Sequence, residues 1–120
     1  CKKLATKLES HPAVSKVRHP SQCENFKALI RPGAGYGCLL SFELHGGLKA
    51  AKRFYDALKV CKGPSLGTKF TLVCPYVLLA HYEELEWAEN CGVPRHLLRV
   101  SVGLENPQEL WQRFEVALLA

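Results

Sequence analysis

Arg99 is the side chain of this sequence with the clearest chemistry. It sits in Leu97-Leu98-Arg99-Val100-Ser101-Val102-Gly103-Leu104-Glu105, which alternates like a strand, so that Leu98, Val100 and Val102 share one face and Leu97, Arg99 and Ser101 the other. A guanidinium on a rigid strand can clamp a carboxylate, because its planar fork meets both oxygens at once. The competing reading is a surface charge on an edge strand, since arginines are mostly exposed. Ser65, in Pro64-Ser65-Leu66-Gly67, carries a hydroxyl among turn-forming residues and reads on its own as a turn serine.

Other residue types that could do chemistry are scattered. The six cysteines, Cys1, Cys23, Cys38, Cys61, Cys74 and Cys91, form no C-x-x-C pair and do not meet the histidines at zinc-binding spacing. Several fall in strand-like or helix-flanking apolar stretches where a thiol packs as a small hydrophobe, so reduced cysteines of a cytoplasmic protein and no metal are expected. The net charge of +5 comes from residues 1–31, where seven basic side chains face only Glu9 and Glu24; the rest holds nine of each sign. No aromatic stripe or recognition helix accompanies that basic third, so it reads as a solvated face or a docking surface for an acidic domain, not a nucleic-acid footprint. No apolar run reaches the ~18 residues that a membrane span needs.

The elements that must position Arg99 follow from periodicity. Asn106, Pro107 and Glu109 form an N-cap, a first-turn proline and the partner of a capping box, so the Arg99 strand runs into a final helix with Leu110, Phe114, Ala117 and Leu118 on one face. Tyr36 to Leu44 alternates as the clearest strand, Gly46-Gly47 turns the chain, and Leu48 to Val60 is an amphipathic helix. Val14 to Arg18 and Lys69 to Cys74 are further strands. Lys2 to Ser10 is helical and stops before Pro12, Leu78 to Leu85 has helical spacing, and Ser21 to Leu29 is ambiguous around Phe26 and Leu29. Strands interspersed with helices, and one apolar sheet face, predict an α/β (α+β) sandwich: a small, mainly antiparallel sheet with helices on one side. With no Met and a start at Cys1, the chain reads as a piece of a longer product.

Three stretches, in order, carry a resemblance: Gly37-Cys38-Leu39-Leu40-Ser41-Phe42-Glu43-Leu44-His45-Gly46-Gly47, then Pro64-Ser65-Leu66-Gly67, then Leu98 to Glu105. They resemble the C-terminal domain of the PLP-dependent Cys/Met-metabolism (transsulfuration) enzymes. The likeness runs over nearly all of the chain, and Leu8-Glu9-Ser10-His11-Pro12 with Val14 and Val17 resembles the entry into that domain. It implies the C-terminal small domain of a fold-type I PLP enzyme over residues 1–120, with 1–11 as the end of a connecting helix. It further implies that Arg99 binds the substrate α-carboxylate and that Ser65 lies at the substrate edge.

By the same resemblance, pyridoxal 5'-phosphate is held by a large domain that this chain lacks. None of Lys49, Lys52, Lys59, Lys62 or Lys69 matches the setting of the Schiff-base lysine, so the piece alone is expected to be inactive and to hold no catalytic residue. The departures bear on subtype. Pro64 stands where many members have an acid, and Cys74-Pro75-Tyr76 and Leu79-Ala80-His81-Tyr82 replace H-P-A and M-T-H. This pattern resembles a divergent cystathionine γ-synthase-like branch, which joins an activated homoserine to cysteine. The alternatives are a γ- or β-lyase, or a non-catalytic domain that binds an amino acid for regulation. Expected partners are the protein's own large domain, an amino-acid substrate and further copies in a homotetramer or homodimer, with neither nucleic acid nor membrane.

Overall fold

A computed structural model describes all residues 1–120. The elements are α1 (Lys2–Glu9), β1 (Val14–Arg18), α2 (Glu24–Leu29), β2 (Leu39–Leu44), α3 (Gly47–Ala57), β3 (Cys61–Lys62), β4 (Leu72–Pro75), α4 (Tyr76–Ala80), α5 (Leu85–Asn90), β5 (Leu98–Ser101) and α6 (Pro107–Leu119), with 3-10 turns at Pro20–Gln22 and Tyr82–Glu84. One five-stranded sheet runs β1-β2-β5-β4-β3. Every pair is antiparallel except β3 with β4, which is the mainly antiparallel sheet that alternation predicted.

One face of the sheet carries the core. Leu40, Phe42, Leu44, Val73, Leu98 and Val100 meet Leu4 and Leu8 of α1, Ala51 and Phe54 of α3, and Leu110 and Phe114 of α6. Phe54 joins the layers, its ring 5.4 Å from Phe42 and 5.8 Å from Phe114. In β1 the register shifts between Val14 and Lys16. That extra residue lets Val14 and Val17, three apart, both face the core, as only a bulge allows in a two-residue repeat.

The helix ends follow local chemistry. Gly46 enters α3 at φ 89°, a conformation glycine reaches without a Cβ penalty. Asn106 caps α6 by accepting from the backbone N–H groups of Gln108 at 2.9 Å and Glu109 at 3.3 Å. The reciprocal bond expected from the Glu109 side chain does not form, so this is a simple cap and not a capping box.

Three stretches differ from their periodicity. β4 begins at Leu72, three residues after the expected start, and Leu72, Val73 and Cys74 are all buried, so no alternation marks it. The helical spacing at Leu78, Tyr82 and Leu85 is interrupted: His81 leaves the helical region at φ −136°, Tyr82 is exposed, and Val77 and Ala88 are buried with Leu97 in a small second core. Ser21 to Leu29 resolves into the His19-capped 3-10 turn and α2, whose Leu29 is exposed and anchors nothing.

Candidate functional site

Sheet register builds the site. Arg18 pairs with Ser41, Ser41 with Arg99, and Cys74 with Arg99. Cross-strand partners share a face, so these four residues form a row on the side of the sheet away from Phe42 and Val100. A depression of about 380 Å³ lies on this side, between Arg18, His19, Cys23, Leu39, Ser41 and Arg99.

The two cations of the row have different surroundings. Arg18 is ion-paired with Glu43, whose other oxygen lies 3.6 Å from His96 Nε2. Arg99 makes no ion pair. Its Nη2 donates to the backbone carbonyls of Pro64 and Ser65, the second at 3.2 Å, while its Nε–H is buried and has no partner within the chain. Its Cζ lies 5.4 Å from the Tyr76 ring centroid, a cation–π distance. Beneath it, burial pushes the Cys74 thiol up against the opposing pull of Arg99, which leaves Cys74 a neutral core filler.

The two residues that the sequence singled out are therefore brought together, but through the backbone of one. Ser65 is exposed, and its carbonyl oxygen, not its hydroxyl, meets Arg99. Its loop is fixed at a second point, where the Gly67 N–H donates to the buried Ser101 hydroxyl at 3.0 Å. Alternation had already put Ser101 on the Arg99 face; what it could not show was a loop arriving there from 34 residues upstream.

A latch holds the far end of β5. The Glu105 carboxylate accepts from the Thr71 N–H at 2.6 Å and the Thr71 hydroxyl at 2.8 Å, and that hydroxyl accepts from the Gly103 N–H at 2.9 Å. Burial works to raise the Glu105 carboxyl, but the bonds from Thr71 outweigh it and the net shift is downward. Gly103 is required by space, since a Cβ there would lie 2.5 Å from both the Lys69 oxygen and the Phe70 carbonyl carbon.

Comparison with known proteins decides the family. Residues 1–119 match the Cys/Met metabolism PLP-dependent enzymes. The chain belongs to that family. It is 52% identical over 114 residues to a cystathionine gamma-synthase of Neurospora crassa, covering 92% of this chain but 18% of the relative. In fold it is similar to the cystathionine gamma synthase of Xanthomonas oryzae pv. oryzae in complex with cystathionine, with a TM-score of 0.86, 27% identity, and 98% and 32% of the two chains covered. It is equally similar to a cystathionine gamma lyase of Micromonospora echinospora, at TM-score 0.86 and 30% identity over 99% of this chain and 32% of the other. The chain thus spans under a fifth of the length of that synthase from Neurospora and about a third of those solved chains.

The family depends on PLP, and the residues of this chain do not fit that cofactor. A resident Schiff-base lysine is sheltered and oriented by its site, whereas all lysines of this chain are exposed. No helix is long and apolar enough to cross a membrane.

Proposed function

We propose that residues 1–120 are the C-terminal small domain of a transsulfuration enzyme of the cystathionine γ-synthase type, with 1–11 ending a connecting helix, and that this domain caps the amino-acid substrate. In the whole protein the reaction is γ-replacement on an activated homoserine by cysteine, with PLP bound by a large domain. Arg99 takes the substrate α-carboxylate, and the loop of Ser65 forms the edge of the substrate site.

One observation carries the reading. Arg99 is the half-buried guanidinium of the chain whose one arm is held by two carbonyls, while its Nε–H lacks an acceptor and no carboxylate of the chain neutralises it. A buried donor without a partner costs roughly 1–3 kcal/mol. A substrate carboxylate removes that cost and gains a charge-assisted bond, and fixing the substrate at this end limits the orientations its reacting carbon samples. The resemblance to the Neurospora synthase over 92% of the chain supports γ-replacement as the reaction. The full-length proteins are expected to assemble as homotetramers or homodimers, and to act in the cytoplasm.

Product analysis of the full-length enzyme tests this. Incubation with an O-acyl-homoserine and cysteine is expected to yield cystathionine, and incubation with cystathionine alone to yield little. Cleavage of cystathionine as the faster reaction would instead establish a lyase.

A further inference from the structure

Tyr76 lies against the guanidinium of Arg99, on which the proposed function rests. It is the first residue of α4, directly after Pro75, which pairs with Leu98 across the sheet. Its backbone N–H donates to the Leu97 carbonyl at 3.2 Å, two residues before Arg99. The base of the side chain is thereby tied to the strand that carries the arginine.

The ring is held as well. Its centroid is 5.4 Å from Arg99 Cζ, and the His81 ring stands against it edge-on at 5.7 Å and 66°. His81 is held in turn by Glu84, at 3.1 Å from Nδ1, and lies 6.1 Å from the Trp87 ring. Tyr76 also packs on the small core of Val77, Ala88 and Leu97. The α4–α5 excursion therefore ends, at its sheet side, in an aromatic face presented to Arg99.

We propose that Tyr76 is the positioning residue that orients the Arg99 guanidinium for a carboxylate. Two carbonyls hold Nη2 of the arginine, while no hydrogen bond within the chain holds its Nε or Nη1, so the rest of the guanidinium can still swing about the Nη2 end. An aromatic face beside the guanidinium opposes that swing, because the ring quadrupole attracts the cation and its bulk excludes other rotamers. An arginine already ordered in this way gives up less freedom when it meets an anion, so binding is tighter. The attraction comes from the π face, and the phenol hydroxyl is not needed for it. The inference rests on the reading of Arg99 as the carboxylate-binding residue.

The test uses full-length enzyme and two probes, L-norvaline and L-norvalinamide, which differ only in whether the α-carboxylate is present. Their Kd values are measured by calorimetry. The parent is expected to prefer norvaline. Tyr76→Phe should bind both probes within about two-fold of the parent. Tyr76→Leu should weaken norvaline roughly 3- to 30-fold, the range for a partly buried cation–π pair, and leave norvalinamide within about two-fold. Tyr76→Met, an adaptable side chain of similar bulk, provides the same comparison if the leucine variant does not fold. Equal loss for both probes, or no loss for norvaline, overturns the proposal and leaves Tyr76 a packing residue. Arg99→Ala separates the two ideas. If it abolishes the preference for norvaline and the Tyr76 variants do not reduce it, the role of Tyr76 alone is lost. If Arg99→Ala leaves the preference intact, the carboxylate reading fails and the proposal falls with it.

Discussion

Arg99 ties the 63–67 loop to β5 through the carbonyls of Pro64 and Ser65, and it keeps a buried Nε–H without a partner. Truncating one partner of a buried charge pair costs roughly 2–5 kcal/mol. In the full-length enzyme Arg99→Ala should therefore lower kcat/KM by about 30- to several-thousand-fold. Arg99→Lys should recover only part, since an ammonium lacks the fork. Because Arg99 faces away from Leu98 and Val100, its removal leaves the core intact and on that ground alone would cost little stability. The bonds to Pro64 and Ser65 revise this to about 1–2 kcal/mol, read as a shift of the denaturation midpoint. A folded Arg99→Ala enzyme of near-normal kcat/KM would make Arg99 a loop fastener only. The strand of Arg99 was legible because Leu98 and Val100 alternate with Arg99 and Ser101. Its partners were not, because backbone carbonyls have no residue identity and can come from anywhere in the chain.

At the level of elements, β5 and the segment before β4 are joined by the Glu105–Thr71–Gly103 latch. Gly103→Ala forces a Cβ into backbone at Lys69 and Phe70, which cannot retreat as a side-chain tip would, so a loss of about 1–3 kcal/mol is expected in urea denaturation. Thr71 is fully buried, and Thr71→Val leaves the Gly103 N–H and one Glu105 oxygen without their partner, with a loss of similar size. The sign of the pH effect follows from the lowered Glu105 carboxyl. A group depressed in the folded state stabilises above its unfolded value, about 4.3, and that contribution disappears as pH falls through the lower folded value. The parent should therefore lose more stability between pH 6 and pH 3 than Glu105→Gln does; equal losses would deny the latch its charge. The latch also shows where periodicity stops being informative. Leu72, Val73 and Cys74 are covered on both faces, which erases alternation, and Lys69 and Phe70 lie outside the strand although their pattern continues it. In the same way β3 is two residues long and exposed, too short to leave any pattern.

The whole molecule has one principal core on one side of its sheet and its distinctive polar row on the other. Its thiols report on that arrangement. All six cysteines are free, with Cys23, Cys61 and Cys91 exposed, Cys1 and Cys38 half-buried, and Cys74 buried. Titration of the native 120-residue chain should modify the first three quickly and Cys74 last, because burial both shields its thiol and disfavours the thiolate. In denaturant without reductant all six should react, and recovery of intrachain disulfides from fresh protein would contradict the reduced state.

The lysines bear on what this chain contributes to a PLP enzyme. All are exposed, and none lines the depression beside Arg99. A Schiff base with an exposed lysine is open to water and is lost when free aldehyde is removed, whereas a resident one is sheltered and oriented by its site. The isolated chain incubated with PLP should therefore keep no Schiff-base absorbance after dialysis, and should turn over neither O-acyl-homoserine with cysteine nor cystathionine. A band that survives dialysis and disappears on replacement of a single lysine would place a cofactor site within these 120 residues, and would add cofactor binding to the carboxylate-binding role proposed for the chain.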